Sequence, residues 1–349
     1  MIVDEKNDLN LEGFSSAEEA MAPVSFREER ETDEDQLFLT PGQLVARRFF
    51  QNRLAVVGVV LLIAMALFCY VMPLFYEYSQ TEIFYLDKTT GAEIRAHESE
   101  HLMVDATLAV LQPLSAKHIL GTNNMGQDMF ARLMYGGRIS LMVGFIVVFI
   151  ELLLGILLGG LAGYYGRWVD GLLMRIVDIV SSIPFLPLML IIASLMISLK
   201  ISPTVKIYYT MFILGFIYWT STARIVRGNI LSLREAEYMQ AADASGIRPS
   251  HKIIKHLIPN VLPNLIVTAT LDLGAIILLE STMSFLGVGV GMPYASWGNM
   301  VTDVADSIVM RLYPNIWVAP GLCILITVMA FNFVGDGLRD ATDPKMKGR

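Results

Sequence analysis

The chain has 349 residues, of which 54% are apolar and only 17% charged, and its mean hydropathy is +0.54. Water-soluble domains of this length carry about a quarter charged residues, so the composition excludes one or two ordinary soluble domains and points to a polytopic membrane protein. The net charge of −7 is unevenly spread: residues 1–36 hold twelve acids against three bases, leaving the remainder slightly basic, which excludes a polybasic lipid anchor at this end and offers nucleic acid no footing.

In chain order, residues 1–40 read as an acidic, solvated, disordered tail with neither the basic nor the apolar region of a signal peptide, so the N-terminus is expected in the cytoplasm. TPGQLVARRFFQNR follows, an interfacial helix with Phe49 and Phe50 as anchors, leading into a first span over Leu54–Tyr76. A spanning helix needs about 20 mostly apolar residues. Further candidates lie between Arg138 and Arg167, from Arg175 to Lys200, over Ile207–Ala223, over Val261–Met283, and between Arg311 and Asp336. The expected fold is therefore all-α with six transmembrane helices. Residues 284–302, SFLGVGVGMPYASWGNMVT, are uncharged but too rich in Gly to span, and read as a re-entrant or surface loop packed on protein.

Lys and Arg near the span ends set the orientation. With the N-terminus inside, the inner segments hold about 18 of the 26 basic residues, which places both termini in the cytoplasm and residues 77–137 outside. The organisation reads as a tail over 1–40, interfacial helix and first span over 41–76, outer loop over 77–137, five-helix core over 138–337, and a cytoplasmic tail over 338–349. Within the core, a polar inner loop occupies 228–262.

That loop contains EYMQAADASGIRPSHKIIKHLIPN, Glu237 to Asn260. Ser232–Ser245 reads as a helix closed by Gly246, and Pro249 with Ser250 opens a second short helix ending at His256, bounded by Pro259 and Pro263. Ala241 and Ala242 leave a shallow surface that another protein could approach, and Ile253, Ile254, Leu257 and Ile258 form an apolar stripe. Three readings remain open from periodicity alone: an ordinary polar loop, a DNA-reading helix-turn-helix, or a docking element for a cytoplasmic partner.

Other candidates carry less. Glu151, Asp178, Asp272 and Glu280 lie in or near spans, where ionisable groups are functional suspects by default; Asp178 is expected beside Arg175 at the inner interface. Asp272 and Glu280 are candidate pathway or gating residues. His118, His251 and His256 do not have metal-ligand spacing, and Cys69 and Cys323 read as small apolar side chains. No G-x-x-x-x-G-K-[ST] occurs, so the chain has no phosphate-binding loop of that kind. GVGVG at 287–291 lacks the context of a dinucleotide fingerprint. No catalytic residue, cofactor or metal is expected in this chain.

QAADASG followed by IPN resembles the E-A-A-x-x-x-G-x9-I-x-L-P loop of inner-membrane permeases of binding-protein-dependent ABC importers. EYxxAAxxxG and KHLIPN resemble the oligopeptide/dipeptide/nickel branch. HILGTNNMGQDMFARLMYGGRISLMVG, ESTMSFLGVGVGMPYASWGNM and GDGLRDATDP are similar to the same branch, and the matches spread over residues 41–345. The extra first span and long outer loop suit the second, C-type permease of a pair. Gln240 stands where the family often has Glu, Asn123 and Gln127 replace Asp and Arg, and Ala131 replaces Ser.

The resemblance implies a subunit forming half of a path for oligopeptides or dipeptides in the inner or plasma membrane of a bacterial cell. It implies a second homologous permease, two cytoplasmic ATPases carrying ATP and Mg, and an extracytoplasmic substrate-binding protein. It assigns coupling to the ATPase to Glu237, Tyr238, Gln240, Ala241, Ala242, Asp243, Gly246, His256 and Pro259. The alternatives are import of nickel or another small solute by the same architecture, and a proton-coupled transporter using Asp272 or Glu280.

Overall fold

The structure, a computed structural model, describes residues 40–95 and 106–343. Residues 1–39 of the expected acidic tail and 344–349 of the expected C-terminal tail lie outside the described residues. Helix α1 (Pro41–Gln51) begins as Pro at the first helical position favours, and Asn52 then caps α2 (Arg53–Ala66) by accepting from Leu54 and Ala55 N–H at 3.0 and 3.3 Å. Of the two Phe expected to anchor α1, Phe50 is exposed. Phe49 instead packs with Ala55 and Ala341, fixing α1 to protein. The first span continues through a π turn, Leu67–Val71, and a 3₁₀ turn to Leu74.

The rest of the helical frame is α3 (Met129–Tyr165), α4 (Arg167–Ser182), α5 (Phe185–Ser198), α6 (Pro203–Arg234), α7 (Glu237–Ala244), α8 (Pro249–Phe285), α9 (Trp297–Val301), α10 (Ser307–Leu312) and α11 (Pro314–Thr342). Among the described residues, four helices are long and apolar enough to cross a membrane: the first span Arg53–Leu74, α3, α8 and α11. A fifth is reached if α4 and α5 count as one. The expected straight span over 175–200 is thus broken, its halves bent by 75°. Pro184 causes the break, because the residue before a proline is driven out of the helical region and Ile183 is extended at φ −75°, ψ 122°. The expected span Ile207–Ala223 lies inside α6, which has 32 residues, but Tyr, Thr, Trp and Ser dilute its apolar middle.

Helices α3 and α6 pack closely along a stripe of small residues. Gly155, Gly159 and Gly163 of α3 lie four residues apart and face Thr222, Ala223 and Ile230 of α6, the spacing that lets helix backbones approach in a membrane. Charge pairs tie α4 to α6 at the end where α3 finishes: Arg227 makes a two-point contact with Asp170, its Nη2 2.6 Å from Oδ2. Asp178, expected beside Arg175 at the inner interface, pairs with Arg224 of α6 at 3.0 Å.

The all-α expectation fails outside the helical core. Residues 77–128 contain an antiparallel sheet in the order β2-β1-β3, with β1 (Phe84–Asp87), β2 (Glu93–Arg95) and β3 (Ala106–Leu108). The alternation FYLD, the turn residues KTTG and then EIR are a readable hairpin signal. Asp87 holds the turn, accepting from Thr89 N–H at 2.7 Å and from the Thr90 hydroxyl at 2.8 Å. The Gly-rich segment 284–302 packs on protein as expected. Trp297 is fully buried, and its indole N–H donates to Leu133 O at 2.9 Å.

Candidate functional site

The polar segment between α6 and α8 is built differently from the two short helices expected. Helix α6 stops at Arg234, and α7 begins after a break at Glu235–Ala236 instead of running unbroken from Ser232. The Gln240 carboxamide donates to Glu235 O at 3.1 Å across this break. A Glu at 240 has no N–H to give, so the replacement of the family's acid has a local use here.

Helix α7 closes in a Schellman motif. Ile247 N–H reaches Ala242 O at 3.2 Å and Gly246 N–H reaches Asp243 O at 3.0 Å. Gly246 is left-handed at φ +68°, as its sequence position implies. Met239 and Ala242 turn inward, so of the two Ala expected on the open surface only Ala241 is there. Glu237, Tyr238, Gln240 and Asp243 also face out.

The second short helix does not end at Pro259. It is the first part of α8, which begins at Pro249, not at a Ser250 cap, and runs 37 residues to Phe285. In a regular α-helix the Pro259 ring would strike the carbonyl of residue 255. A π turn over Lys252–Leu257, with Ile258 N–H bonding back to Ile253 O, widens the helix there. Pro263 also sits inside α8. His256 is half-buried, and its carbonyl accepts from Asn260 at 2.6 Å.

The inner face of this unit is anchored. Met239, Leu257, Val261 and Leu265 pack with Val226 and Ile230 of α6, and buried Lys252 pairs with Asp243 across the turn. Its outer face carries Tyr238 and Ile254, the latter 67% exposed. Ile254 is legible in the sequence only as part of an apolar stripe, because nothing there says which side of the stripe meets α6.

Along the membrane helices, Glu280 of α8 is sealed from solvent. It accepts from Ser140 of α3 at 3.2 Å and Ser284 at 2.7 Å. Asp272 is only half-buried and lies beside the Glu151 carboxyl of α3. Glu151 accepts from the Thr222 hydroxyl of α6 at 2.5 Å. Asp272 and Glu280 therefore sit on one helix but in separate surroundings.

At the other end of α3, the motif HILGTNNMGQD builds a joint. Asn123 donates to Gln127 at 3.1 Å, a neutral pair where the family pattern has opposite charges. Arg132, 2% exposed, donates to Gln127 Oε1 at 2.7 Å and to Pro293 O at 3.1 Å. Asp128 caps α3 through Ala131 N–H at 2.6 Å. The ring of buried His118 lies between carboxylates, Nδ1 2.6 Å from Asp128 Oδ2 and Nε2 against Glu93 of β2. The Tyr76 hydroxyl is 3.2 Å from Asp128, Lys117 is 3.6 Å from Glu93, and Tyr78 and Phe84 flank the ring.

Burial alone would push the His118 pKa down, but the hydrogen bonds to Asp128 and Glu93 outweigh it and raise it above the ordinary 6.5. A raised value means that the joint is at full strength below pH 6.5 and is lost as pH rises through the folded-state pKa. Hydrogen exchange in β1 and β2, corrected for intrinsic rates, should therefore quicken about threefold or more between pH 6 and pH 9, one decade in rate being about 1.4 kcal/mol. His118→Gln should flatten that dependence. An equal slope in both proteins would remove the assignment.

Among the described residues no group of three or more His, Cys, Asp or Glu is placed to hold a metal ion. Cys69 and Cys323 are free and buried in one apolar cluster.

Residues 155–348 match the family described as binding-protein-dependent transport system inner membrane component. Residues 40–90 match the N-terminal TM domain of oligopeptide transport permease C. The chain is 36% identical over 300 residues to a putative peptide permease protein of Brucella suis biovar 1, covering 86% of this chain and 90% of that one. It is 35% identical to the oligopeptide transport system permease protein OppC of Haemophilus influenzae, over 86% and 87% of the two chains. A solved structure of the MetNI methionine ABC transporter, inward facing, aligns with a TM-score of 0.47 at 20% identity, covering 62% of this chain and 98% of that one. With a family match over more than half its length and relatives above 30% identity across most of it, the chain belongs to the inner membrane components of binding-protein-dependent transport systems.

Proposed function

We propose that the chain is one of two membrane subunits of an ATP-driven importer of oligopeptides or dipeptides. It crosses the membrane six times, with α6 and the bent α4–α5 pair each counted as one span and both termini in the cytoplasm. A second homologous permease completes the path, an extracytoplasmic binding protein delivers the peptide, and two cytoplasmic ATPases supply ATP and Mg.

The observation that carries this reading is the join between α7 and α8. A short, outward-facing helix is closed by a left-handed Gly246 and locked by Lys252–Asp243, and it leads directly into a 37-residue helix. Glu237, Tyr238, Gln240 and Ala241 form the surface offered to the ATPase, with Ile254 beside them. Ala242, Asp243, Gly246, His256 and Pro259 set its shape. A push on α7 is passed along α8, about 55 Å of continuous helix, to the level of Asp272 and Glu280. The peptide substrate is taken from relatives that are named as peptide permeases.

The test is uptake of a labelled tripeptide by vesicles holding the reconstituted importer. Uptake should require the ATPase subunits and hydrolysable ATP, falling at least tenfold without either. Uptake that persists without ATPase and follows a proton gradient would sink the reading.

A further inference from the structure

Asp272 lies midway along the apolar part of α8, about 16 Å from either Val261 or Met283 at 1.5 Å per residue. An ionisable side chain at that depth is costly against lipid and belongs on a water-filled or protein-lined side. An open side of α8 is marked by exposed Asn264, Ala275, Leu278 and Thr282, with half-buried Thr268 on the same face. Asp272 flanks this side and is half-buried.

Behind it is Glu151, 3% exposed and likewise near the middle of its helix. One Glu151 oxygen is satisfied by Thr222, whereas the other, Oε2, is buried and meets no N–H or hydroxyl among the described residues; the group beside Glu151 is the Asp272 carboxyl. A buried carboxyl oxygen without a donor carries a desolvation penalty. Two carboxyls side by side repel one another when both are ionised, and a cation held between them relieves that repulsion. Their complement is a compact cation with several N–H donors, and an ammonium group brings three.

We infer that Asp272, backed by Glu151 and Thr222, forms a half-site in the wall of the translocation path that binds the terminal ammonium group of a passing peptide. The assignment rests on the peptide reading above and deepens it. α3, α6 and α8 each contribute one residue. Because α8 is continuous with the coupling turn, a movement of α7 shifts Asp272 relative to Glu151 and can release the ammonium it holds. Glu280, enclosed by Ser140 and Ser284, takes no part in this contact.

The experiment measures ATP-driven uptake of one tripeptide with a free N-terminus and of its N-acetylated form, by the complete reconstituted importer. The binding protein has its own preference between the two peptides. Comparing the free-to-acetylated ratio of a variant with that of the wild type cancels that preference. Asp272→Asn should lower the ratio at least fivefold and Glu151→Gln by a smaller factor, while Asp272→Glu should keep it near the wild-type value.

A wild-type ratio in both neutral variants overturns the half-site. So does an equal fall in uptake of both peptides, which marks a merely structural role. If the wild type imports neither peptide, the peptide reading itself fails, and that result is distinguishable from the other two.

Discussion

Gly159→Ala should destabilise the protein by about 1–3 kcal/mol, the range for overpacking a well-packed interior. A Cβ at 159 would lie 2.4 Å from the carbonyl oxygen of Ala223, 2.9 Å from its Cα and 3.0 Å from its carbonyl carbon. All three are backbone atoms of α6, so no side chain can rotate away and the two helices must separate. The strain also reaches Gly155, whose neighbour is the Thr222 that donates to Glu151. The opposite sign is expected at Gly171 of α4, where an added Cβ meets nothing within 4 Å. There Ala should be neutral or stabilising by about 0.5–1 kcal/mol, because Gly is the poorer helix former. Thermal unfolding in detergent measures both. A Gly159→Ala protein as stable as the wild type would show that α3 and α6 do not meet as described.

Much of the membrane core is legible in the sequence because apolar length is a strong signal, and four of the expected spans coincide with long apolar helices. The departures have particular causes. Pro184 reads as part of a span, although its effect on Ile183 breaks the helix. Pro259 and Pro263 read as boundaries, yet the π turn before Pro259 lets the helix continue. The rule for proline is local, and whether a helix absorbs it depends on packing by Leu257, Val261 and Leu265 that no local rule contains.

At the candidate site the same division holds. Gly246 is legible because a left-handed residue at a helix end needs no partner elsewhere in the chain. The inward turn of Ala242 and the outward position of Ile254 are not, since both depend on where α6 lies. The Glu151, Thr222 and Asp272 grouping joins residues up to 121 positions apart, and each looks alone in the sequence. The sheet in residues 77–128 escapes for another reason. Its hairpin signal is present, but the polar composition of the segment outweighs it.

The continuity of α7, its turn and α8 changes what a mutation at the turn should do. With two short helices bounded by proline, a strained turn would affect only that helix pair. With one continuous helix above it, strain at Gly246 alters the angle at which α7 meets α8, which is the lever that the proposed function gives to a partner. Gly246→Val isolates this effect. The left-handed conformation costs an ordinary residue about 1–2 kcal/mol, and a β-branched one is a true outlier there. Yet a Cβ at 246 meets nothing within 4 Å, so crowding inside the chain contributes nothing. Insertion and assembly should therefore survive, while peptide imported per ATP hydrolysed falls about tenfold, the equivalent of about 1.4 kcal/mol. Gly246→Asn supplies the control, because Asn tolerates this backbone region while having similar bulk; its ratio should stay within about twofold of wild type. Equal loss in both variants would attribute the defect to bulk against the ATPase rather than to the turn, and unchanged coupling in Val would end the mechanical role assigned to Gly246.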